Sequence, residues 1–285
     1  MYDFPIGAIV DSFRCDTKEA VKKAAAIGIK GIQMYCTRGA HGPENFGKEQ
    51  RRELLNYVKD YGMVFSAICG DLGRGFGDPA LNPELIEQSK RIMDMAKDFE
   101  TNIVTTHIGV VPSDKNHDRY KIMQEACAEL ARYADSIGSH FAVETGPEPS
   151  AVLAEFLDSL DSTGVAVNLD PANLVMVTGD DPVQAVYNLR RYIVHTHAKD
   201  GVKLADGNPE YIYRVVHPIP EEVQGVKYFK EVPLGTGSVD FAKYLAALDD
   251  IGYRGFLTIE REVGEDPARD IKIAYDHLKQ VIREH

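Results

Sequence analysis

Eight short runs rich in β-branched or aromatic residues alternate, end to end, with eight longer amphipathic stretches in this chain. The short runs lie near residues 5–10, 31–35, 64–69, 103–108, 141–144, 165–170, 192–198 and 255–260. Their length and composition predict strands; the intervening segments, 17–27, 48–61, 83–99, 120–137, 150–160, 182–191, 240–251 and 267–283, carry helical periodicity. Asp16-Thr17, Asn82-Pro83, Asp181-Pro182 and Asp266-Pro267 are helix start signals, and Gly28, Gly62, Gly138 and Gly252 stand where C-caps would fall. Parallel strands need a crossover of about a dozen residues, usually a helix. Eight such units without a linker or composition break predict an α/β fold, a closed (β/α)8 TIM barrel, with residues 1–285 as a single domain. The alternative is a doubly wound open sheet, but no GxGxxG follows the first run to support a dinucleotide site.

The connections are uneven. Segments after helices are short, whereas those after strands are long: 36–47, 70–82, 109–119 and above all 199–237. In a barrel the post-strand loops build the C-terminal face, where active sites lie. The 199–237 loop carries Tyr211, Tyr213, Arg214 and His217 among prolines. It is expected to fold over that face as a partial lid, with subunit contact in a homo-oligomer as its other use.

The net charge of −12 disfavours a polyphosphate partner, so nucleic acid is not expected. Four cysteines, Cys15, Cys36, Cys69 and Cys127, form no CxxC pair and read as reduced thiols. No apolar run approaches the roughly 20 residues of a membrane span, and the start Met1-Tyr2-Asp3-Phe4-Pro5 lacks the basic flank of a leader. The expectation is a cytoplasmic protein without a membrane partner.

The strand ends carry the chemistry. The fifth predicted strand ends in Glu144, the sixth in Asp170, the seventh in His195-Thr196-His197 and the eighth in Glu260. An oxygen-rich set with one imidazole suits a divalent metal: Mn²⁺ first, with Mg²⁺, Co²⁺ or Zn²⁺ as alternatives. Each acid alone reads more readily as a helix cap or an edge solubiliser; the set of them points to a metal. Two residues back, on the same strand faces, stand Ala142, Asn168, His195 and Thr258. Polar groups in a barrel interior each cost roughly 1–3 kcal/mol unless hydrogen-bonded. Asn168 and His195 fit a layer that orients ligands, leaving His197 as the ligand, although the spacing alone allows either histidine.

These pieces resemble the sugar phosphate isomerase/epimerase family, whose members have the xylose-isomerase-like barrel, related to ketose 3-epimerases and endonuclease IV. The resembling segments are Ala142-Val143-Glu144-Thr145, Asn168-Leu169-Asp170-Pro171-Ala172-Asn173, His195-Thr196-His197-Ala198-Lys199-Asp200, Gly235-Thr236-Gly237-Ser238-Val239-Asp240-Phe241 and Thr258-Ile259-Glu260. The resemblance implies a metal held by Glu144, Asp170, His197 and Glu260, with Glu144 and Glu260 also transferring protons. It departs from the ketose 3-epimerase pattern at Asn173, where a His is usual, at Lys203, where an Arg is usual, and at Ser150, where a Glu is usual. Endonuclease IV would need further metal ligands: Asn173 replaces one, and no Asp-x-His follows Asp200.

The implied activity is isomerisation or epimerisation of a small sugar or sugar derivative by proton abstraction next to a carbonyl, through a metal-stabilised enediolate. The alternatives are a lyase eliminating a β-substituent from a keto-sugar at the same site, an endonuclease IV-like hydrolase, and a non-catalytic sugar-binding barrel. His107, Asn173, Lys199 and Lys203 are candidates for contacting the substrate. The Gly235-Thr236-Gly237-Ser238 run reads as a phosphate cradle or as a tight turn with Ser238 as N-cap.

Overall fold

The structure, a computed structural model, describes residues 2–216 and 218–284. His217 lies outside the described residues. Along the chain run β1 (Ile6–Ile9), α1 (Thr17–Ile27), β2 (Gly31–Tyr35), α2 (Lys48–Asp60), β3 (Val64–Cys69), α3 (Asn82–Asp98), β4 (Ile103–Thr106), α4 (Asp118–Ile137), β5 (His140–Glu144) and α5 (Ser150–Asp158). The second half comprises β6 (Val165–Leu169), α6 (Pro171–Asn173), α7 (Pro182–Leu189), β7 (Ile193–Ala198), β8 (Asp200–Lys203), α8 (Pro209–Ile212), β9 (Phe229–Val232), α9 (Phe241–Asp250), β10 (Leu257–Ile259) and α10 (Pro267–Glu284). Eight parallel strands close in the order β1-β10-β7-β6-β5-β4-β3-β2, so the predicted (β/α)8 barrel is the fold.

Local chemistry accounts for the helix ends. Asp16 accepts from the Lys18 and Glu19 amides, Asp181 from that of Val183, and Asp266 from that of Arg269. Asn82 departs from this pattern: it is the first helical residue, and its amide group donates to the Phe76 carbonyl at 3.1 Å. Gly28 and Gly138, at φ 107° and 59°, terminate α1 and α4 in the left-handed conformation that only glycine adopts without strain. In α10 the buried residues Ile271, Ala274, Leu278, Val281 and Ile282 recur every three or four positions, giving one apolar stripe against the barrel. Burying each larger aliphatic side chain in this way stabilises the fold by roughly 1.5–3 kcal/mol.

Two irregularities in the barrel register bear on function. The β2–β3 pairing shifts between Ile32 and Gln33, and the β6–β7 pairing shifts between Val167 and Asn168. Both Gln33 and Asn168 are buried polar residues. Such bulges re-aim side chains next to functional sites.

Two features go beyond the simple alternation. After β6 the chain forms α6 and a π-helical turn, Leu174–Thr178. Within residues 199–237, β8 and β9 form a separate antiparallel pair, with Asp200 opposite Val232 and Lys203 opposite Phe229. This insert is tied to the barrel by the Arg119–Glu210 ion pair from α4 to α8, and by Arg261, which bonds Glu231 at 2.6 Å and Asp270 at 2.7 Å. Among the described residues, no helix is long and apolar enough to cross a membrane.

Candidate metal and substrate site

Glu144 is the last residue of β5, Asp170 and Glu260 immediately follow β6 and β10, and His197 is the penultimate residue of β7. All four are buried, and one ligand atom from each lies within 4.8 Å of the others. His197 Nδ1 faces the three acids, 3.5 Å from Glu144 Oε2, 3.6 Å from Asp170 Oδ2 and 3.3 Å from Glu260 Oε2. Its Nε2 lies 3.1 Å from Gln33 Oε1, and the Gln33 amide nitrogen donates to Thr105 Oγ1 at 3.1 Å. Gln33 therefore accepts from Nε2–H, leaving Nδ1 turned to the carboxylates.

Three carboxylates this close repel one another, on the order of 4 kcal/mol per charged pair at 4 Å and an effective dielectric constant of 20. Burial pushes Glu144 up to about 7, despite the opposing pull of His197 and His107. Burial acts upward on Glu260 too, yet Lys199 and His197 outweigh it and hold its carboxyl below the usual range. Burial works against the charge on His197, but Glu260 and Glu144 overcome it and raise the imidazole well above its ordinary value. Asp170 Oδ2 is buried with no hydrogen-bond partner. An oxygen-rich donor set, an inward imidazole nitrogen and an orphaned carboxylate oxygen fit a divalent cation. The cluster could hold such an ion.

Behind this cluster the hydrogen bonds run in one direction. Thr258 Oγ1 lies 2.9 Å from His195 Nε2, His195 Nδ1 lies 2.8 Å from Asn168 Oδ1, and Asn168 Nδ2 donates to Glu144 Oε2 at 3.2 Å. Burial, reinforced by His197, pushes His195 well below its ordinary value. As a neutral ring it donates to Asn168 from Nδ1 and accepts from Thr258 at Nε2. His195 thus sits one layer behind, acting on Glu144 through Asn168.

The remaining sequence candidates divide. His107, just past β4, places Nδ1 3.0 Å from Asp71 Oδ2 and Nε2 3.7 Å from Glu144 Oε1. Burial opposes its charge, but Glu144 and Asp71 raise it to about 9. Asn173 donates to Glu144 Oε1 at 2.8 Å, and its backbone amide donates to Asp170 Oδ1 at 2.9 Å. Asp170 is therefore both the cap of α6 and a member of the cluster. Lys199 is buried and donates to Glu260 at 3.1 Å and Glu262 at 2.5 Å. Lys203 does not line the cavity at this cluster: it pairs with exposed Asp206 at 2.7 Å.

The glycine run is resolved by Asp200. Its carboxylate accepts from the amides of Gly235, Gly237 and Val239 at 2.8–3.1 Å, so a side chain already fills the cradle. A Cβ on Gly237 would collide with that carboxylate. The helix cap is Asp240, which accepts from the Lys243 amide, and not Ser238.

A cavity of about 260 Å³ opens above the cluster. Its walls include His107, Asn173 and Lys199 from the barrel, and Tyr213, Phe229 and Glu231 from the 199–237 insert. The Tyr213 ring lies 5.9 Å from that of His107. Sequence reasoning overlooked Gln33 and Asp71. A glutamine between Ile32 and Met34 in an otherwise apolar strand was the available signal for the first.

A family model for the xylose isomerase-like TIM barrel matches residues 21–281. The L-ribulose-5-phosphate 3-epimerase UlaE of Escherichia coli strain K12 is 24% identical over 275 residues, covering 92% of this chain and 88% of that enzyme. An inosose dehydratase of Clostridium perfringens is 26% identical over 157 residues; the match covers 54% of this chain and spans half (50%) of that enzyme's length. A solved xylose isomerase domain protein from Planctomyces limnophilus superposes with a TM-score of 0.81 and 25% identity, covering 99% of both chains.

Proposed function

This chain belongs to the xylose isomerase-like TIM barrel family, and on that premise we propose that it is a divalent-metal-dependent isomerase or epimerase of a small sugar or sugar derivative. The observation that carries the reading is the convergence of Glu144, Asp170, His197 and Glu260, of which Glu144, His197 and Glu260 line the cavity. Glu144, Asp170, His197 and Glu260 would hold a divalent ion, which would supply Lewis-acid polarisation of the substrate carbonyl. Glu144 and Glu260 hold and move the proton, one as base at the C–H beside the carbonyl and the other as acid on return. Asn173 and Asn168 fix the two oxygens of Glu144, so that carboxylate cannot swing away from the reacting carbon. Lys199 keeps Glu260 ionised. His107, steadied by Asp71, faces the same space and donates to a substrate oxygen. Tyr213 and Phe229 of the insert line the cavity and offer apolar surface to the carbon skeleton of the substrate.

The test is metal content of the purified protein together with deuterium uptake from solvent into a panel of ketoses and aldoses. Glu144→Gln and Glu260→Gln should each abolish exchange. Full turnover in both variants, with metal retained, would defeat the assignment. A second reading is favoured by the likeness to inosose dehydratase: the same proton abstraction followed by loss of a β-hydroxyl as water. A product lighter by one water, in place of an epimer, would select it.

A further inference from the structure

Beside the site cavity lies a second one of about 480 Å³, and Tyr35 and Asp71 form walls of both. It is bounded by the loops after β2 and β3 and the first turns of α3, with Thr37, Arg38 and Arg74 among its lining residues. Among the described residues, neither the Arg38 nor the Arg74 guanidinium has an ion-pair or hydrogen-bond partner. In a chain of net charge −12 this is unusual placement. Other arginines near the C-terminal face, Arg119 and Arg261, are locked in ion pairs. The acids of the second cavity are already engaged: Asp71 by His107 Nδ1 at 3.0 Å and the Gly73 amide at 2.8 Å, and Glu84 by the Gln88 amide at 3.0 Å. Two arginines without a partner among the described residues therefore line a space that shares Tyr35 and Asp71 with the site cavity. The Gly235–Gly237 turn, the other place where a barrel of this kind could seat an anion, has its amides taken by Asp200.

We infer that the end of the substrate remote from the reacting carbons carries an anionic group, a phosphate monoester or a carboxylate, seated between Arg38 and Arg74. This deepens the isomerase or epimerase reading and rests on it. Planar guanidiniums pair with either group through two parallel N–H···O bonds, and such charge-assisted bonds are stronger than neutral ones. Neither arginine touches the carboxylate cluster, and both are exposed, so substitution leaves the fold and the reacting end intact.

The experiment compares metal-loaded wild type with Arg38→Ala, Arg74→Ala and the double variant, reading deuterium exchange into three ketoses: neutral, phosphorylated at the terminal carbon, and oxidised there to a carboxylate. A KM that rises about tenfold or more per arginine for one charged substrate, with the neutral one unchanged, is the expected result. Which charged substrate responds identifies the anion. Equal KM values in all four proteins overturn the subsite while leaving the isomerase reading standing. If no sugar exchanges in any protein, that reading falls, and titration with inorganic phosphate without added divalent ion decides the subsite separately. Phosphate binding weakened in the double variant supports it, and equal binding overturns it.

Discussion

His197 Nε2 lies 3.1 Å from Oε1 of Gln33, on a strand separated from β7 by β10 and β1 around the barrel, while Nδ1 of the same ring faces Glu144, Asp170 and Glu260. The carboxamide sets the ring's tautomer and its angle. Gln33→Leu removes that support without changing any ligand. Loss of such a partner costs about 10–100-fold in metal affinity. Titration of the metal-free protein with Mn²⁺ measures it; unchanged affinity would mean that the Gln33 bond does not orient the ring.

Metal binding should release protons. At neutral pH His197 is protonated, because Glu260 and Glu144 more than offset its burial, and Glu144, pushed up to about 7, is partly protonated. An ion accepted at Nδ1 must displace the imidazole proton, so affinity falls as pH falls and rises as pH rises. Calorimetry in two buffers of different ionisation enthalpy reads the number released. We expect at least about one proton per ion near pH 7; zero would place Nδ1 outside the ligand set.

Asp200 holds the turn before α9 by accepting from Gly235, Gly237 and Val239. Asp200→Ala leaves these amides without the carboxylate, at about 1–3 kcal/mol for each that water does not reach. In a domain of this size about 1 kcal/mol lowers Tm by roughly 2–4 °C. Thermal unfolding of the variant should show a drop of that order or several times larger. A shift below the lower bound would assign the turn's stability to its glycines alone.

Glu148 is buried, with Oε2 accepting from the Val111 amide at 2.9 Å and Oε1 unpartnered. Burial raises its pKa from 4.5 to about 8. Between those values the unfolded chain has lost the proton and the folded chain keeps it. Stability therefore falls as pH rises through that window, by up to about 1.4 kcal/mol per pH unit from this group. Glu148→Gln retains the acceptor for Val111 but does not titrate. Chemical denaturation at pH 5 and pH 8 should show a smaller loss of stability in the variant than in wild type; parallel losses would show that Glu148 ionises normally.

The barrel strands and the eight helices between them are legible because side-chain periodicity is local: strand and helix each repeat over a few residues, and Asp16 and Gly28 mark their own helix ends. The proximity of Glu144, Asp170, His197 and Glu260 follows once the barrel is assumed, since each lies at the C-terminal end of a strand. The 199–237 insert is less legible. Its short β8–β9 pair is set by contacts across the insert and to Arg261, and nothing in its periodicity announces them. Lys203 illustrates the limit: it is near His197 in sequence, yet the β8 strand carries it to Asp206.

By itself the sequence determined the order of strands and helices, the closed barrel and which residues end its strands, because those follow from short-range patterning and chain order. Only the tertiary structure decided that Gln33 steers a histidine 164 residues away, that Asp71 steadies His107, that Asp200 fills the glycine turn, and that two arginines without a partner among the described residues line a cavity next to the site. Those relationships join residues distant in the chain, and barrel closure, which brings their strands and loops together, is a property of all eight strands at once.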